Sequence, residues 1–312
     1  MSGELPVGST LGNRLSRLSI RGENRAHAVL FLVPTAILFV GLVGYPVVYS
    51  LALMFTGRSD TPGHLGPFVG LGNWSRLASD PLFIQSALQT IMYVVPSGIV
   101  GLLLGLGVAL ILNERFPGRG LARAALLIPW ALPPVVVAAM FQWFLDSRRG
   151  LLGEWLVNAG LVAEPPIFFG GVPGTLFMLT AVHIWKTFPL VALIILVSLQ
   201  YLPRETIQAA RIDGASRWRR FRHVVLPFLR PTLVAAVIIQ VLVTLQLFDL
   251  IFALTGGGPG RYSTYNLYFL TFKTTFEQTD FGYGSVLAYV VTAVVVTLAL
   301  VLTRGRAKAL LA

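Results

Sequence analysis

The chain contains no cysteine and only 13 acidic residues in 312. The first absence excludes disulfides, thiolate metal sites and cysteine nucleophiles. Charge of either sign is scarce: Asp, Glu, Lys and Arg together make up 12% of the residues, about half the share of a water-soluble domain. Histidine is scarcer still. The four His show no H-E-x-x-H or other ligand spacing, and no paired carboxylates accompany them, so a membrane metalloenzyme has no support. No G-x-x-x-x-G-K-[ST] phosphate loop occurs, since Gly256-Gly257-Gly258-Pro259 lacks the Lys. Any ATP-driven process must therefore use a separate subunit. No internal repeat points to an inverted-repeat carrier.

Apolar residues are abundant, at 55% of the chain with a mean hydropathy of +0.75. A membrane span needs about 20 mainly apolar residues. Six stretches qualify, at about 28–54, 86–112, 124–145, 175–200, 231–254 and 283–303. The first run is too long for a signal-peptide core and no small-residue cleavage site closes it, so it is expected to remain as an anchor. Prolines within the spans, including Pro133-Pro134, are expected to kink helices that neighbours then re-satisfy.

Lys and Arg set the orientation. With the N-terminus inside, seventeen fall in the tail, the loop after span 2, the loop at 201–230 and the C-terminus; six fall outside, and Lys186 lies within span 4. Both termini are expected in the cytoplasm. This distribution explains the net charge of +11 by a solvated inner face beside anionic lipid, without nucleic acid. Trp74, Trp143, Trp155, Tyr262, Tyr265 and Tyr268, in or beside the outer loops, suggest an interfacial belt or, alternatively, a docking surface for an external partner. The expected division is a basic tail at 1–27, a six-helix membrane domain at 28–303 with its main inner loop at about 201–230, and a short tail at 304–312.

That inner loop is the densest polar segment. Pro203 suits helix position N1, Glu205 then falls in the first turn, and Ile207 and Ala210 share a small apolar side. Asp213-Gly214 breaks the helix. A second amphipathic helix over about 215–225, carrying Trp218, Phe221 and Val225 on one stripe, is expected to end at Pro227. The physical reading is a two-helix knob on the membrane surface; an interfacial connector is the plainer alternative.

Gln208-Ala209-Ala210, Asp213-Gly214-Ala215, Phe221 and Leu226-Pro227 together resemble the EAA motif of type I ABC importer permeases. Leu254 to Pro259, Trp185 with Pro189, and Phe68-Val69-Gly70-Leu71-Gly72-Asn73-Trp74 narrow the similarity to the carbohydrate-uptake branch, the maltose and glycerol-phosphate permeases. The resemblance extends from about residue 28 to the end. It implies an all-α, six-helix membrane fold in the bacterial plasma (inner) membrane. It further implies a second permease subunit in a heterodimer, two ATPase subunits that bind ATP and Mg, and an external solute-binding protein; this chain itself would bind no cofactor. Coupling to the ATPase would fall to Glu205, Gln208, Ala209, Ala210, Asp213, Gly214 and Ala215. Gln208 stands where the family usually has Glu, which removes a charge-assisted bond that Glu205, three residues earlier, is placed to replace.

Ionisable residues inside a span are functional candidates. His183, Lys186, Thr187 and Leu190 share one face of span 4, and Gln240 and Thr244 lie on one stripe of span 5. The resemblance implies substrate contacts at His183, Lys186, Thr187 and Leu190 and at Gln240, Val243, Thr244 and Leu247. The residues leave other roles open: a Lys186–Asp249 ion pair, a packed His183, and Gln240 and Thr244 as interhelical glue. Asp249 is a candidate for an outer gate. The expected function is therefore a sugar-importing permease that is not itself an enzyme. The alternatives are an importer of glycerol phosphate or another polar solute and, in a different class, an ion-coupled carrier or channel.

Overall fold

The computed structural model describes residues 29–58, 65–260 and 262–311. The arginines of the 1–27 tail and Arg261 lie outside the described residues. Among those described, all regular structure is helical apart from a single antiparallel bridge between Thr56 and Phe68. Among the described residues five helices are long and apolar enough to cross a membrane, six when a bent pair is counted as one span. The expected all-α membrane architecture is therefore present.

The first span, α1 (Val29–Leu53), has none of its most apolar window buried. A short helix, α2 (Gly72–Ser79), precedes the second span, α3 (Pro81–Asn113). Asp80 starts α3, its carboxylate accepting from the Leu82 N–H at 2.9 Å while Pro81 occupies a position that needs no donor. The third span is broken. Helices α4 (Arg119–Ala131) and α5 (Pro134–Phe144) meet at 93°, because Pro133 and Pro134 each remove an amide donor and force extended backbone just before them. After α6 (Leu151–Asn158), the fourth span α7 (Val172–Gln200) runs through the centre, with 56% of its most apolar window buried. It packs closely on α3 at Gly105, where an added Cβ would stand 2.6 Å from the Val191 side chain.

The inner loop contains α8 (Arg204–Ile212). It is followed by α9 (Arg217–Leu245), the fifth span. Beyond it come a π-helical turn (Ile251–Thr255), α10 (Leu267–Phe272) and the sixth span α11 (Phe281–Leu311). Two apolar cores result. One, away from the loop at 201–216, gathers Tyr93, Val137, Leu179, Leu250, Phe269 and Leu287; the other, nearer that loop, gathers Ala109, Val191, Ile195, Leu229 and Ala236. Full burial of each such Leu or Ile is worth roughly 1.5–3 kcal/mol relative to water, a reward that applies only where the alternative is not lipid.

Candidate functional site

The knob forms largely as expected, with two corrections. Pro203 is the residue before the helix and Arg204 is the first helical one. Glu205 does lie in the first turn. At the other end the Ala215 N–H reaches the Ala210 carbonyl at 3.0 Å and the Gly214 N–H reaches that of Arg211 at 3.1 Å. Gly214 sits at φ +74° with no atom within 4 Å of a hypothetical Cβ. This is a Schellman ending, and glycine is required there by backbone conformation alone, not by space. Ser216 opens the next helix, its hydroxyl accepting from the Arg219 N–H at 3.3 Å.

The second correction concerns Pro227, which does not end that helix. Phe221–Val225 forms a π turn in which the Leu226 N–H reaches back to the Phe221 carbonyl. The wider turn alters the carbonyl ladder just where Pro227 lacks a donor, so the helix continues unbroken from Arg217 to Leu245. The second half of the knob and the fifth span are thus one helix. Glu205, Gln208, Ala209, Asp213 and Gly214 are exposed, while Ala210 and Ala215 are half-buried. Two large apolar side chains join them at the tip: Ile212 is 87% exposed and Trp218 67%. Ile212 escaped sequence reasoning because a lone apolar residue between Arg211 and Asp213 carries no periodic signal.

Between α7 and α9 four of the candidate path residues close on one another. The His183 Nε2 lies 3.0 Å from the Thr244 Oγ1, and the Gln240 Nε2 donates to the Thr187 Oγ1 at 2.9 Å. Each threonine hydroxyl already donates within its own helix, Thr244 to the Gln240 carbonyl and Thr187 to that of His183, both at 2.8 Å. Both hydroxyls are therefore left as acceptors across the interface, which requires the proton on Nε2 of His183. The clasp is reciprocal, with one donor from each helix, and all four residues are at most 6% exposed. Leu247 is also buried, but it lies past the end of α9 at Leu245, in a break that the expected span at 231–254 did not foresee. Leu190 is half-buried, and Val243 and Asp249 are exposed.

Lys186 has a different partner from the one considered above. Its Nζ donates to the carbonyls of Trp130, at 3.1 Å, and Leu132, at 2.6 Å, at the broken end of α4. Those carbonyls have lost their helical partners at the Pro133-Pro134 bend, and a cation is well suited to a helix C-terminus. Among the described residues the ion pairs are Arg76–Asp280 and Lys273–Glu277, so the Lys186–Asp249 pair is not formed.

At the end of the bundle away from the knob, a set of residues not singled out from the sequence holds the loop after the fifth span. Gln89 and Tyr93 of α3 donate to the carbonyls of Ser263, at 2.9 Å, and Thr264, at 3.1 Å. Thr90 accepts from the Leu267 N–H at 3.0 Å, and Asn266 both caps α10 and donates to the Leu247 carbonyl. Ser86, Gln89, Thr90 and Tyr93 recur at i, i+3, i+4 and i+7, a visible stripe within span 2. Tyr265, expected in the interfacial belt, is instead buried, and burial pushes its hydroxyl up to about 12, with Glu277 and Tyr262 adding to the shift. In the first outer loop, Asn73 donates to the carbonyls of Met54 and Thr56 at 3.0 and 2.8 Å. Close by, the Arg76–Asp280 pair at 2.7 Å lies beside a Tyr283 hydroxyl that donates to Asp80. On the elbow after α5, the Arg149 and Arg148 N–H groups hold the exposed Asp146 carboxyl below its usual range.

Comparisons with known proteins agree with this geometry. The family model for the binding-protein-dependent transport system inner membrane component matches residues 101–308. The sulfoquinovosyl glycerol transport system permease protein SmoG of Agrobacterium fabrum is 37% identical, over 86% of this chain and 87% of its own length. The trehalose/maltose transport system permease protein MalF of Thermococcus litoralis is 36% identical, over 75% of this chain and 78% of its own. In fold, the chain matches a crystal structure of a bacterial ABC transporter involved in the import of the acidic polysaccharide alginate. The TM-score is 0.80 at 19% identity, covering 94% of this chain and 99% of that one. The chain belongs to the family of binding-protein-dependent transport inner membrane components. It is a multi-pass permease subunit of an ABC importer and not an enzyme; a binding protein and a separate ATPase complete the system.

Proposed function

We propose that this family member carries a carbohydrate through the membrane along the α7–α9 seam, and that α8 with Gly214 passes the ATPase's motion to that seam. The similarity to two permeases named for sugar-containing solutes supports the substrate class. The observation that carries the coupling half is the unbroken helix from Arg217 to Leu245, which has the knob at one end and Gln240 and Thr244 near the other. The knob would lie in the cytoplasm with both termini. A second permease subunit, the other member of a heterodimer, and two ATPase copies would complete the complex.

In the conformation described, His183, Thr187, Gln240 and Thr244 satisfy one another, so the seam is closed on this side. Substrate passage would need the clasp to exchange its internal hydrogen bonds for sugar hydroxyls, with Lys186, Leu190, Val243 and Leu247 bordering the path and Asp249 placed at its outer end. Such an exchange is nearly neutral in hydrogen-bond number, as a transport path requires. ATP binding in the partner would favour one facing state through the knob by a few kcal/mol. The glycerol-phosphate alternative gains nothing from Lys186, whose ammonium already serves two carbonyls.

The test is ATP hydrolysis by the reconstituted complex with its binding protein and a panel of sulfoquinovosyl glycerol, trehalose, maltose and glycerol phosphate. Stimulation by one neutral or anionic sugar is the expected result. Stimulation by glycerol phosphate alone, or solute uptake without any ATPase subunit, overturns the reading.

A further inference from the structure

A cavity of about 680 Å³ opens between the α3–α4 loop and α8, lined by Arg115, Arg119 and Arg123 on one side and by Arg204 and Arg211 on the other. Glu114 is the one carboxylate among its described lining residues. None of the five guanidinium groups is in an ion pair among the described residues. Arg123 donates from Nη2 to the Leu112 carbonyl at 3.0 Å, but its Nε is buried without an acceptor. Two helices also begin here. Helix α4 starts at Arg119 after Gly118, and α8 starts at Arg204 after Pro203; neither start has a side-chain cap. Free N–H groups and the positive end of a helix favour an anion, above all a phosphate.

Five like charges around one cavity repel one another unless a counter-charge is present. The depth of the cavity suggests its source: Asn113 and Gln200, which also line it, are the last residues of the spans α3 and α7, at the level where a bilayer's headgroups begin. Basic pockets between spans on the cytoplasmic side are suited to phosphate headgroups. We propose that this cavity holds the phosphate of an anionic phospholipid from the inner leaflet, bridging the α3–α4 loop to the coupling helix. The proposal rests on the orientation given under the proposed function.

Gln208 acquires a second meaning. It lines the same cavity, and a Glu there would add a second carboxylate facing the arginines. An amide keeps the positive field uncancelled. Ile212 at the end of α8 and Trp218 on α9 stay exposed and free for the ATPase, so the lipid would occupy one flank of the knob and leave its tip uncovered.

Native mass spectrometry of the complete transporter, purified from vesicles of phosphatidylglycerol and phosphatidylcholine, would count the phosphatidylglycerol retained. Arg115→Gln with Arg204→Gln, both exposed positions, should lower retention at least tenfold. Arg219→Gln with Arg222→Gln, which removes equal charge outside the cavity, should leave it unchanged, and Gln208→Glu should lower it severalfold. Equal losses in the two double variants would mean a diffuse surface field and overturn the site. Displacement of the lipid by millimolar inorganic phosphate at constant ionic strength would overturn it in favour of a soluble phosphate ligand. Retention by the permease alone that disappears once the ATPase is added would assign the cavity to the partner's carboxylates. Gly214→Val keeps the lipid in every case, so failure of the coupling proposal is read separately, from ATP hydrolysis.

Discussion

At the end of the bundle away from the knob, residues 262–267 are tied down by Gln89, Tyr93, Thr90 and Asn266, and Arg76, Asp80, Asp280 and Tyr283 join α2 and α3 to α11. There, the Ser86 hydroxyl and Gln89 Oε1 are the buried side-chain atoms without a partner among the described residues. At the knob end five arginines surround a cavity, and the apolar Ile212 and Trp218 project from the tip. The first region is cross-linked by the chain's own hydrogen bonds, whereas the second presents free charge and exposed apolar side chains, which on the proposals above a lipid and the ATPase would cover.

The sharpest way to break this contrast is to remove one bond holder from each end. Asn266→Ala deletes a helix cap and orphans the Leu247 carbonyl, and should cost about 2–4 kcal/mol of stability, read as a fall in the unfolding temperature of the detergent-purified permease. Gly214→Val should do the reverse. Its strain of about 1–2 kcal/mol should lower melting less than Asn266→Ala does, while sugar-stimulated ATP hydrolysis falls at least about tenfold. Equal melting losses in the two variants would erase the distinction between the ends. Midway between them, Thr244→Val removes the acceptor for His183 and should cost about 0.6–1.7 kcal/mol, the range of interhelical hydrogen bonds in membranes, and a double-mutant cycle with His183→Phe would isolate it. Arg76→Gln should have the smallest effect, about 0–1 kcal/mol in the same melting assay, because the Arg76 side chain is 50% exposed.

Much of this was legible in the residues. Hydropathy marked an apolar run on each of the five long helices and on the bent pair, because lipid demands long apolar runs regardless of tertiary packing, but it set the fifth at 231–254 where the helix runs Arg217–Leu245. The knob was legible because Asp213-Gly214 is local turn chemistry. The 93° bend was not, since Pro133-Pro134 announces a break while the angle depends on what Lys186 and α7 offer to the freed carbonyls. Pro227 misled for the same reason: a π turn, invisible to propensity, let the helix pass through it. At the candidate site, face-sharing correctly grouped His183 with Thr187 and Gln240 with Thr244. It could not show that the two pairs satisfy each other, because that depends on the register of two helices about 55 residues apart in sequence. The polar stripe of α3 was written plainly at helical spacing, but it lay inside a span judged by its average hydropathy.

The continuity of α9 has a mechanical consequence. A helix of 29 residues is a strut roughly 40 Å long, with Arg217 at one tip and Leu245 at the other. A stiff strut cannot absorb displacement along its length, so a thrust at the knob reaches Thr244 as the same thrust. Sliding by a single turn, about 5.4 Å, would bring Gln240 level with His183 and leave Thr187 without its donor. On the coupling proposed above, the latch would change partners in whole turns, so power delivered on one side of the bilayer would be felt as a switch at the other.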